Sequence, residues 1–299
     1  MKYFLIIALA SLLSTTAIAQ WDSVEIKTTK LSETLYMLEG RGGNIGICAG
    51  EDGVFMIDDQ FAPLSDTILG AVRQITDQPL KFVFNTHWHG DHTGGNANMN
   101  KEGAIIVAHQ NVRKRMSTDQ FMASFGRKVK AAPKAAWPTI TFEKDMNMYF
   151  NGENIFAFHL HQGAHTDGDA ILYFSKSNVI HTGDTYFKGR YPYIDLSSGG
   201  SINGIIAVCD AVLMLCDEDT KIIPGHGSLS NKQELIAYRA VLMTVRDRVL
   251  KQKKAGKSLE EVQKMELSKE FDEDYGQGFI PPNKMIKAVY ETVLKDAGR

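Results

Sequence analysis

Apolar positions along the chain recur at two spacings, and the switches between them outline a fold. From Val24 to Asp58 the runs are short: Leu35-Tyr36-Met37-Leu38, then Asn44 to Cys48, then Val54-Phe55-Met56-Ile57 ending on Asp58-Asp59, with glycines between them. This predicts an antiparallel meander. Ser65 then caps a stretch in which Ile68, Leu69, Val72 and Ile75 fall at helical spacing, and Pro79 closes it before a strand from Lys81 to Phe84. Ala104 to Val107 reads as another strand, with a helix starting near Gln110. Strands resume at Thr139 to Phe142, Met146 to Phe150, Ile155 to Leu160, Ala170 to Phe174 and Val179 to His181. A helix from about Ser201 to Cys216 precedes the short strand Lys221-Ile222-Ile223. The second half therefore repeats the order of the first, and two such halves imply an α/β fold: a four-layer αββα sandwich, sheet on sheet with helices outside.

Two regions stand apart from this alternation. Residues 117–138 mix Phe121, Phe125 and Trp137 with Arg127, Lys128, Lys130 and Lys134 and carry Pro133 and Pro138, which suggests an excursion. It is either a flap over substrate or a surface helix with a loop. The tail is helical. Ser230 with Gln233 reads as a capping box for a helix running to about Lys254, where Gly256 stops it, and Ser258 with Glu261 caps another. Asn283 opens the last helix, with Met285, Ile286, Val289 and Val293 on its inner side.

Composition narrows the setting. Lys2, the apolar run Phe4 to Leu13 and the small-x-small site Ala17-Ile18-Ala19 have the form of a signal peptide over residues 1–19, with cleavage between Ala19 and Gln20 and delivery to the periplasm or exterior. The apolar run is too short for a membrane span, so no stable membrane anchor is expected. Residues 20–299 then form one domain with no marked linker. A formal net charge of -2 without long blocks of like charge argues against a nucleic-acid surface and leaves a small-molecule substrate as the default partner. Cys48, Cys209 and Cys216 are too few and scattered for a disulfide scaffold. Seven residues of helix put Cys209 and Cys216 about 10.5 Å apart in rise, so all three read as buried small apolar residues.

The chemistry concentrates in His87-Trp88-His89-Gly90-Asp91-His92, three imidazoles and a carboxylate in six residues directly after an apolar strand. Imidazole and carboxylate hold Zn²⁺ at neutral pH, and loops at the carboxyl ends of strands are where open α/β sheets collect ligands. One hexapeptide does not complete two metal sites, so further ligands are expected after later strands. His165 in Gly163-Ala164-His165-Thr166, Asp184 in His181-Thr182-Gly183-Asp184 and His226 in Pro224-Gly225-His226-Gly227 stand there, each beside a glycine that leaves room around an ion.

With these motifs in order along the mature chain, the sequence resembles the metallo-β-lactamase-fold superfamily of metallohydrolases. His87, His89, Asp91 and His92 match its HxHxDH motif, His165, Asp184 and His226 its later ligand motifs, and Asp58 the acidic end of an early strand. The resemblance implies that His87, His89 and His165 hold a first metal, and that Asp91, His92 and His226 hold a second. Asp184 would bridge both or join the second, and Asp58 would accept a hydrogen bond from a ligand imidazole. It also implies two Zn²⁺ per chain sharing a hydroxide that attacks a carbonyl-type bond, with Asp91 orienting it and relaying its proton. His159, His161 and His181 match no ligand motif and are expected to be structural or to support the ligands from behind.

Substrate is less determined. Export suits a β-lactam hydrolase, the leading specific activity. Yet one class of β-lactamases has Cys at the place of Asp184 and a Lys three residues later, whereas here position 187 is Phe and Lys188 follows. A second class shares the His at the His92 position but generally lacks the acid near Asp184, which is more typical of thioesterase and lactonase branches. A lactone, ester or thioester hydrolase is therefore the alternative, followed by a zinc-binding protein without turnover and an iron redox enzyme. Lys188, Arg190, Tyr186, Tyr191 and Tyr193 are the candidate substrate contacts, with loop packing as the competing role.

Overall fold

The computed structural model describes Trp21, residues 23–160 and residues 163–294. The expected signal segment, 1–19, and His161 lie outside the described residues. The first half of the chain carries strands β1 (Lys27–Lys30), β2 (Leu35–Glu39), β3 (Ile45–Gly50), β4 (Gly53–Ile57), β5 (Leu80–Asn85), β6 (Ile105–His109), β7 (Gln120–Met122), β8 (Arg127–Val129) and β9 (Ile140–Phe142). Its helices are α1 (Ser65–Ile75), α2 (Gly90–Thr93), α3 (Asn96–Lys101) and α4 (Gln110–Met116). Seven strands form one sheet in the order β1-β2-β3-β4-β5-β6-β9. The meander β1 to β4 is antiparallel, and β4, β5, β6 and β9 are parallel.

The second half supplies β10 (Asp145–Phe150), β11 (Glu153–Phe158), β12 (Ile171–Phe174), β13 (Val179–His181), β14 (Lys221–Ile223) and β15 (Ser230–Asn231), paired in that order. Only β13 and β14 run parallel in this sheet. Its helices include α5 (Ile202–Leu215), α6 (Lys232–Lys254), α7 (Leu259–Gln263), α8 (Asp272–Tyr275) and α9 (Pro282–Thr292). No helix among the described residues is long and apolar enough to cross a membrane.

Alternation along the strands builds the layers, since successive side chains point to opposite faces. Leu35, Met37, Phe55, Ile57, Phe84 and Val107 of the first sheet meet Ile155, Ala157, Leu172, Phe174, Val179 and Ile223 of the second in one buried cluster. Their neighbours Leu38, Val54, Met56, Val83 and Ile106 face the other way, against Ile68, Leu69 and Val72 of α1. Phe158, Ile171, Ile180 and Ile222 turn outward from the second sheet onto α5, α6 and α9. The result is the expected αββα sandwich. Parallel pairing in both sheets puts the carboxyl ends of β4, β5 and β6, and of β13 and β14, at strand termini from which ligand loops spring.

Local expectations differ in detail. Ser65 is the first residue of α1, not its cap; Leu64 precedes it with no side-chain capping bond, because a short 3₁₀ turn at Ala62–Leu64 leads directly into the helix. Asn231, not Ser230, caps α6, accepting from the Glu234 amide at 3.0 Å, while Ser230 is held in β15 by pairing with Ile222. Ser258 and Glu261 form the expected capping box. Residues 117–138 contain the hairpin β7–β8, its strands joined through the 3₁₀ turn Ala123–Phe125, with a second 3₁₀ turn, Lys134–Ala136, after it. The cysteines are free, Cys48 and Cys209 buried and Cys216 half-buried.

Phe55 lies at the centre of the intersheet layer, fully buried, with the rings of Phe82, Phe84, Phe150 and Phe174 6.2 to 6.3 Å from its own. Phe55→Ala is expected to lower unfolding free energy by about 3–5 kcal/mol in denaturant titrations; a loss under about 1 kcal/mol would remove this ring from the core's main support.

Candidate metal centre

Strand ends bring the seven ligand-type residues together. The chain leaves β5 at Asn85, passes His87 and His89, and enters the one-turn helix α2 that carries Asp91 and His92. His165 comes from the β11–β12 loop, Asp184 from a 3₁₀ turn after β13, and His226 from the loop after β14. They form two groups, His87, His89, His165 and Asp184, and Asp91, His92 and His226, each with ligand atoms within 4.8 Å of one another. The Asp184 carboxylate reaches both: Oδ2 is 3.8 Å from His87 Nε2 and 3.6 Å from His165 Nε2, and Oδ1 is 3.1 Å from His92 Nε2 and 3.4 Å from His226 Nε2.

Close approach here requires glycine. A Cβ at Gly225 would sit 2.1 Å from Asp184 Oδ1, and one at Gly43 would sit 2.1 Å from His92 Cε1. The loop bearing His226 is fastened to the meander by Asn44, whose amide N donates to Gly225 O at 2.7 Å and whose side chain donates to the carbonyls of Pro224 and Gly227 at 2.8 Å each.

Four of the five imidazoles have a polar partner at their second nitrogen. His92 Nδ1 donates to Asp58 Oδ2 at 2.7 Å, His165 Nδ1 to the Tyr193 carbonyl at 2.6 Å, and His89 Nε2 to Asp195 Oδ2 at 3.0 Å. His87 Nδ1 lies 3.1 Å from Thr86 Oγ1. Asp58 holds a left-handed backbone, φ +61°, a strain of about 1–3 kcal/mol for a residue with a side chain. Its carboxylate also accepts from Thr86 N at 2.8 Å and Thr86 Oγ1 at 2.7 Å, contacts that hold it there.

This arrangement fits metal. His165 Nδ1 and His89 Nε2 both face acceptors, so in the neutral rings these nitrogens carry the hydrogens. The two remaining nitrogens, His165 Nε2 and His89 Nδ1, then face each other bare at 2.8 Å. Two lone pairs at that distance call for a cation between their directions. His87 Nε2 is likewise buried without a hydrogen-bond partner. Three imidazoles and a carboxylate, beside two imidazoles and another carboxylate, form a donor set suited to divalent ions.

Charge is unevenly shared without metal. Burial drives His87 well below its usual range and His165 down to about 4, the latter despite Asp184 beside it. Burial also opposes charge on His92 and His226, but Asp184 and Asp91 overcome it, holding His92 well above the usual range and His226 up at about 9. Burial works against the Asp91 carboxylate too, yet the imidazoles of His92 and His226 outweigh it and hold the group down at about 2. The second group thus favours charged imidazoles, and a metal binding there would compete with their protons.

The other expected residues divide. Asp58 sits behind His92 as an acceptor. Tyr191 and Arg190 line the cavity over the metal centre, with Tyr193, but the Tyr191 hydroxyl donates to Asp272 Oδ1 at 2.8 Å. The Tyr186 hydroxyl is buried against Ser230 Oγ at 2.8 Å, and Lys188 Nζ is engaged by Leu229 O and Glu234 Oε2, both at 2.8 Å. Neither of these two lines the cavity: their polar ends fasten this loop to the start of α6. His181 is satisfied at both nitrogens, by Asn44 O and the Gly183 amide, each at 3.1 Å, and His159 Nδ1 donates to Asp169 O.

Two buried acids had no sequence signal linking them to the site. Asp195, whose local pattern Asp-Leu-Ser-Ser-Gly marks only a turn, accepts from Ser198 Oγ at 2.6 Å as well as from His89. Asp169 accepts from the His165 amide at 2.7 Å and from Thr166 Oγ1 at 2.6 Å, shaping the His165 loop; burial, against these bonds, pushes its carboxyl up to about 7.

Above the metal centre a cavity of about 390 Å³ opens. His89, Asp91, Asp184 and His226 form its polar side. Phe61, Met122, Phe125, Phe187, Phe279 and Ile280 make it largely apolar, and Arg127 and Arg190 add two cations. Phe187 stacks on His226 with centroids 5.3 Å apart.

Comparison with known proteins places the chain in a family. The profile described as the metallo-beta-lactamase superfamily matches residues 38–232, and the chain belongs to this superfamily of metal-dependent hydrolases. A hydroxyacylglutathione hydrolase from Polaromonas sp. (strain JS666 / ATCC BAA-500) is 27% identical over 193 residues, 64% of either chain. Another of that name from Pelagibacter ubique (strain HTCC1062) is 27% identical over 151 residues, 49% of this chain and 52% of its own length. The matches thus span less than two thirds of these relatives. Among solved structures, a sec-alkylsulfatase from Pseudomonas sp. superposes with a TM-score of 0.67 at 18% identity, covering 89% of this chain and 50% of that one. A metallo-beta-lactamase from Pontibacter korlensis gives 0.59 at 16% identity, covering 73% and 99%. Both show the shared fold.

Asp195→Asn keeps the side chain's volume but removes the charge facing His89, and is expected to weaken metal binding in the first group about 10–100-fold in chelator competition. Unchanged affinity would mean that Asp195 only shapes its turn. Because Asp184 and Asp91 favour the charged imidazoles of His92 and His226, adding divalent metal to the metal-free protein at pH 7.5 should release protons, and affinity should climb as pH rises toward 9. Metal uptake with no proton release would contradict this charge distribution.

Proposed function

We propose that the protein is an exported di-zinc hydrolase acting on a carbonyl-type bond, an ester or thioester, of a small substrate. The observation that carries this reading is the Asp184 carboxylate, one oxygen toward each ligand group, beneath a cavity that leaves Asp91 at its edge. His87, His89 and His165 would hold one ion, Asp91, His92 and His226 the other, with Asp184 between them. Zinc bound there supplies a Lewis acid for a carbonyl oxygen and lowers the pKa of water to near neutrality.

The chain's own residues do the rest. Asp91 has a side chain 29% exposed on the cavity side, with Oδ2 3.3 Å from His226 Nε2. Ionised at neutral pH, it can take a proton from attacking water and pass it to the departing oxygen or sulfur. His226 is steadied by stacked Phe187, and the apolar wall excludes bulk water from the reacting bond. Lys188, the lysine nearest the place where β-lactamases keep an anchor, is occupied by Glu234 and Leu229, which favours ester or thioester over β-lactam. The curated relatives, named for an acyl–glutathione bond, point the same way. β-Lactam cleavage is the second reading, supported by Arg190, a cation of the same loop that does line the cavity and could meet a drug's carboxylate.

Purified mature chain loaded with zinc is expected to contain two zincs and to cleave a simple thioester or lactone faster than a chromogenic cephalosporin. Fast cephalosporin turnover would instead establish the second reading, and a zinc-loaded chain inert to all would overturn the hydrolase proposal for these substrates. Asp91→Asn should lower kcat about 10²–10⁴-fold with the fold intact by circular dichroism; near-normal turnover would remove Asp91 from proton transfer.

A further inference from the structure

One face of the hairpin β7–β8 borders a cavity, with Gln120, Met122 and Val129 half-buried and Arg127 exposed to solvent at its edge. Its register pairs Gln120 with Val129, Phe121 with Lys128 and Met122 with Arg127. Directly opposed residues share a face and neighbours along a strand alternate, so Gln120, Met122, Arg127 and Val129 form one side and Phe121 and Lys128 the other. The first four all line a second cavity of about 190 Å³, whose remaining wall is largely apolar, with Trp88, Met116, Ala132 and Ala136. Phe121 on the opposite face is 54% exposed.

The two cavities meet. Gly90, Met122 and Arg127 line both the larger cavity over the metal centre and the smaller one under the hairpin. A molecule reaching from the metal ligands past Gly90 would therefore pass Arg127. The other cations of the smaller cavity are committed: Arg115 makes a two-pronged pair with Asp167 at 2.7 and 2.8 Å, and Lys130 pairs with Asp119 at 2.7 Å. Among the described residues no carboxylate lies within ion-pair distance of Arg127. The hairpin is also secured, by Arg115 donating to Gln120 Oε1 at 3.0 Å, Ala131 N to Asp119 Oδ1 at 2.9 Å and Ala123 N to Ser197 Oγ at 3.3 Å. A planar five-donor cation on a fastened hairpin, at the seam of two apolar cavities and without an acid of its own, is suited to a carboxylate or similar anion.

We propose that the hairpin forms a second substrate subsite, in which Arg127 at the seam binds an anionic group of the substrate and the apolar segment linking that group to the scissile bond lies on Met122 and Phe125. This names the substrate class for the hydrolase reading on which it rests: an ester or thioester with an apolar spacer ending in a carboxylate or comparable anion. The subsite selects among substrates and takes no part in breaking the bond.

The test compares two thioesters on the zinc-loaded full chain, the benzyl monothioester of glutaric acid and its methyl ester, differing only in the free carboxylate. The wild type should prefer the acid in kcat/KM, and Arg127→Ala should cut that preference about tenfold, through the KM of the acid, with Arg127→Lys in between. A preference unchanged in Arg127→Ala overturns the subsite while leaving the hydrolase reading intact. Should neither thioester be cleaved, thioester hydrolysis fails, and the subsite is decided by titrating 4-phenylbutyrate into the same proteins. About tenfold weaker binding to Arg127→Ala than to wild type then supports it, and equal or absent binding in both overturns it.

Discussion

A carboxylate buried among imidazoles is the constraint around which this structure is built. Asp184 is 5% exposed, and among the described residues no lysine or arginine pairs with it. Burying an ionised carboxylate is costly unless opposite charge and hydrogen bonds compensate it. Here burial is opposed by His92 and His226, which hold the group ionised, well below the usual carboxylate range. Divalent cations would complete that compensation on loading. The surrounding backbone yields to this side chain: Gly225 has no Cβ because Asp184 occupies its place, and Asn44 ties the His226 loop across to the meander.

Orientation of the ligands is spread over acceptors from distant parts of the chain. Asp58 at the end of β4 turns His92, Asp195 turns His89 across 106 residues, and the Tyr193 carbonyl turns His165. These partners choose which ring nitrogen stays bare, so they determine where a cation can sit before any cation arrives. The strained backbone at Asp58 belongs to the same device: its left-handed turn lets one carboxylate serve both Thr86 and His92.

Metal and substrate ends are made of different material. Ligands come from strand ends locked between two sheets, whereas the cavity walls come from excursions: the hairpin with Met122 and Arg127, the loop with Arg190 and Tyr191, and the segment with Phe279 and Ile280. Phe125, Tyr193 and Phe279, one from each excursion, pack with centroids 5.3 to 6.1 Å apart and join them into one wall. The core can thus hold the metal chemistry constant while these segments set what is cleaved.

Periodicity along the chain sufficed to read the two-halved sandwich, because alternation of residues such as Leu35, Met37, Phe55 and Ile57 reports directly which face is buried. The hexapeptide and the three later glycine-flanked motifs were equally legible, since ligand chemistry and local spacing both reside in short stretches. Cap positions were less so: Ser230 and Ser65 look like caps, yet strand pairing claims one and a preceding 3₁₀ turn the other. The roles of Lys188 and Tyr186 depended on what stood opposite them, Glu234 and Ser230, more than forty residues away. Asp195 and Asp169 carry no motif at all, because an acceptor is defined by the donor that reaches it and not by its neighbours in sequence. The sequence by itself determined the layers and the candidate ligand types; only tertiary structure decided which nitrogens point into the two clusters, which polar groups are already spent, and which cations stand without an acid, because those outcomes depend on distances between segments that the chain order leaves open.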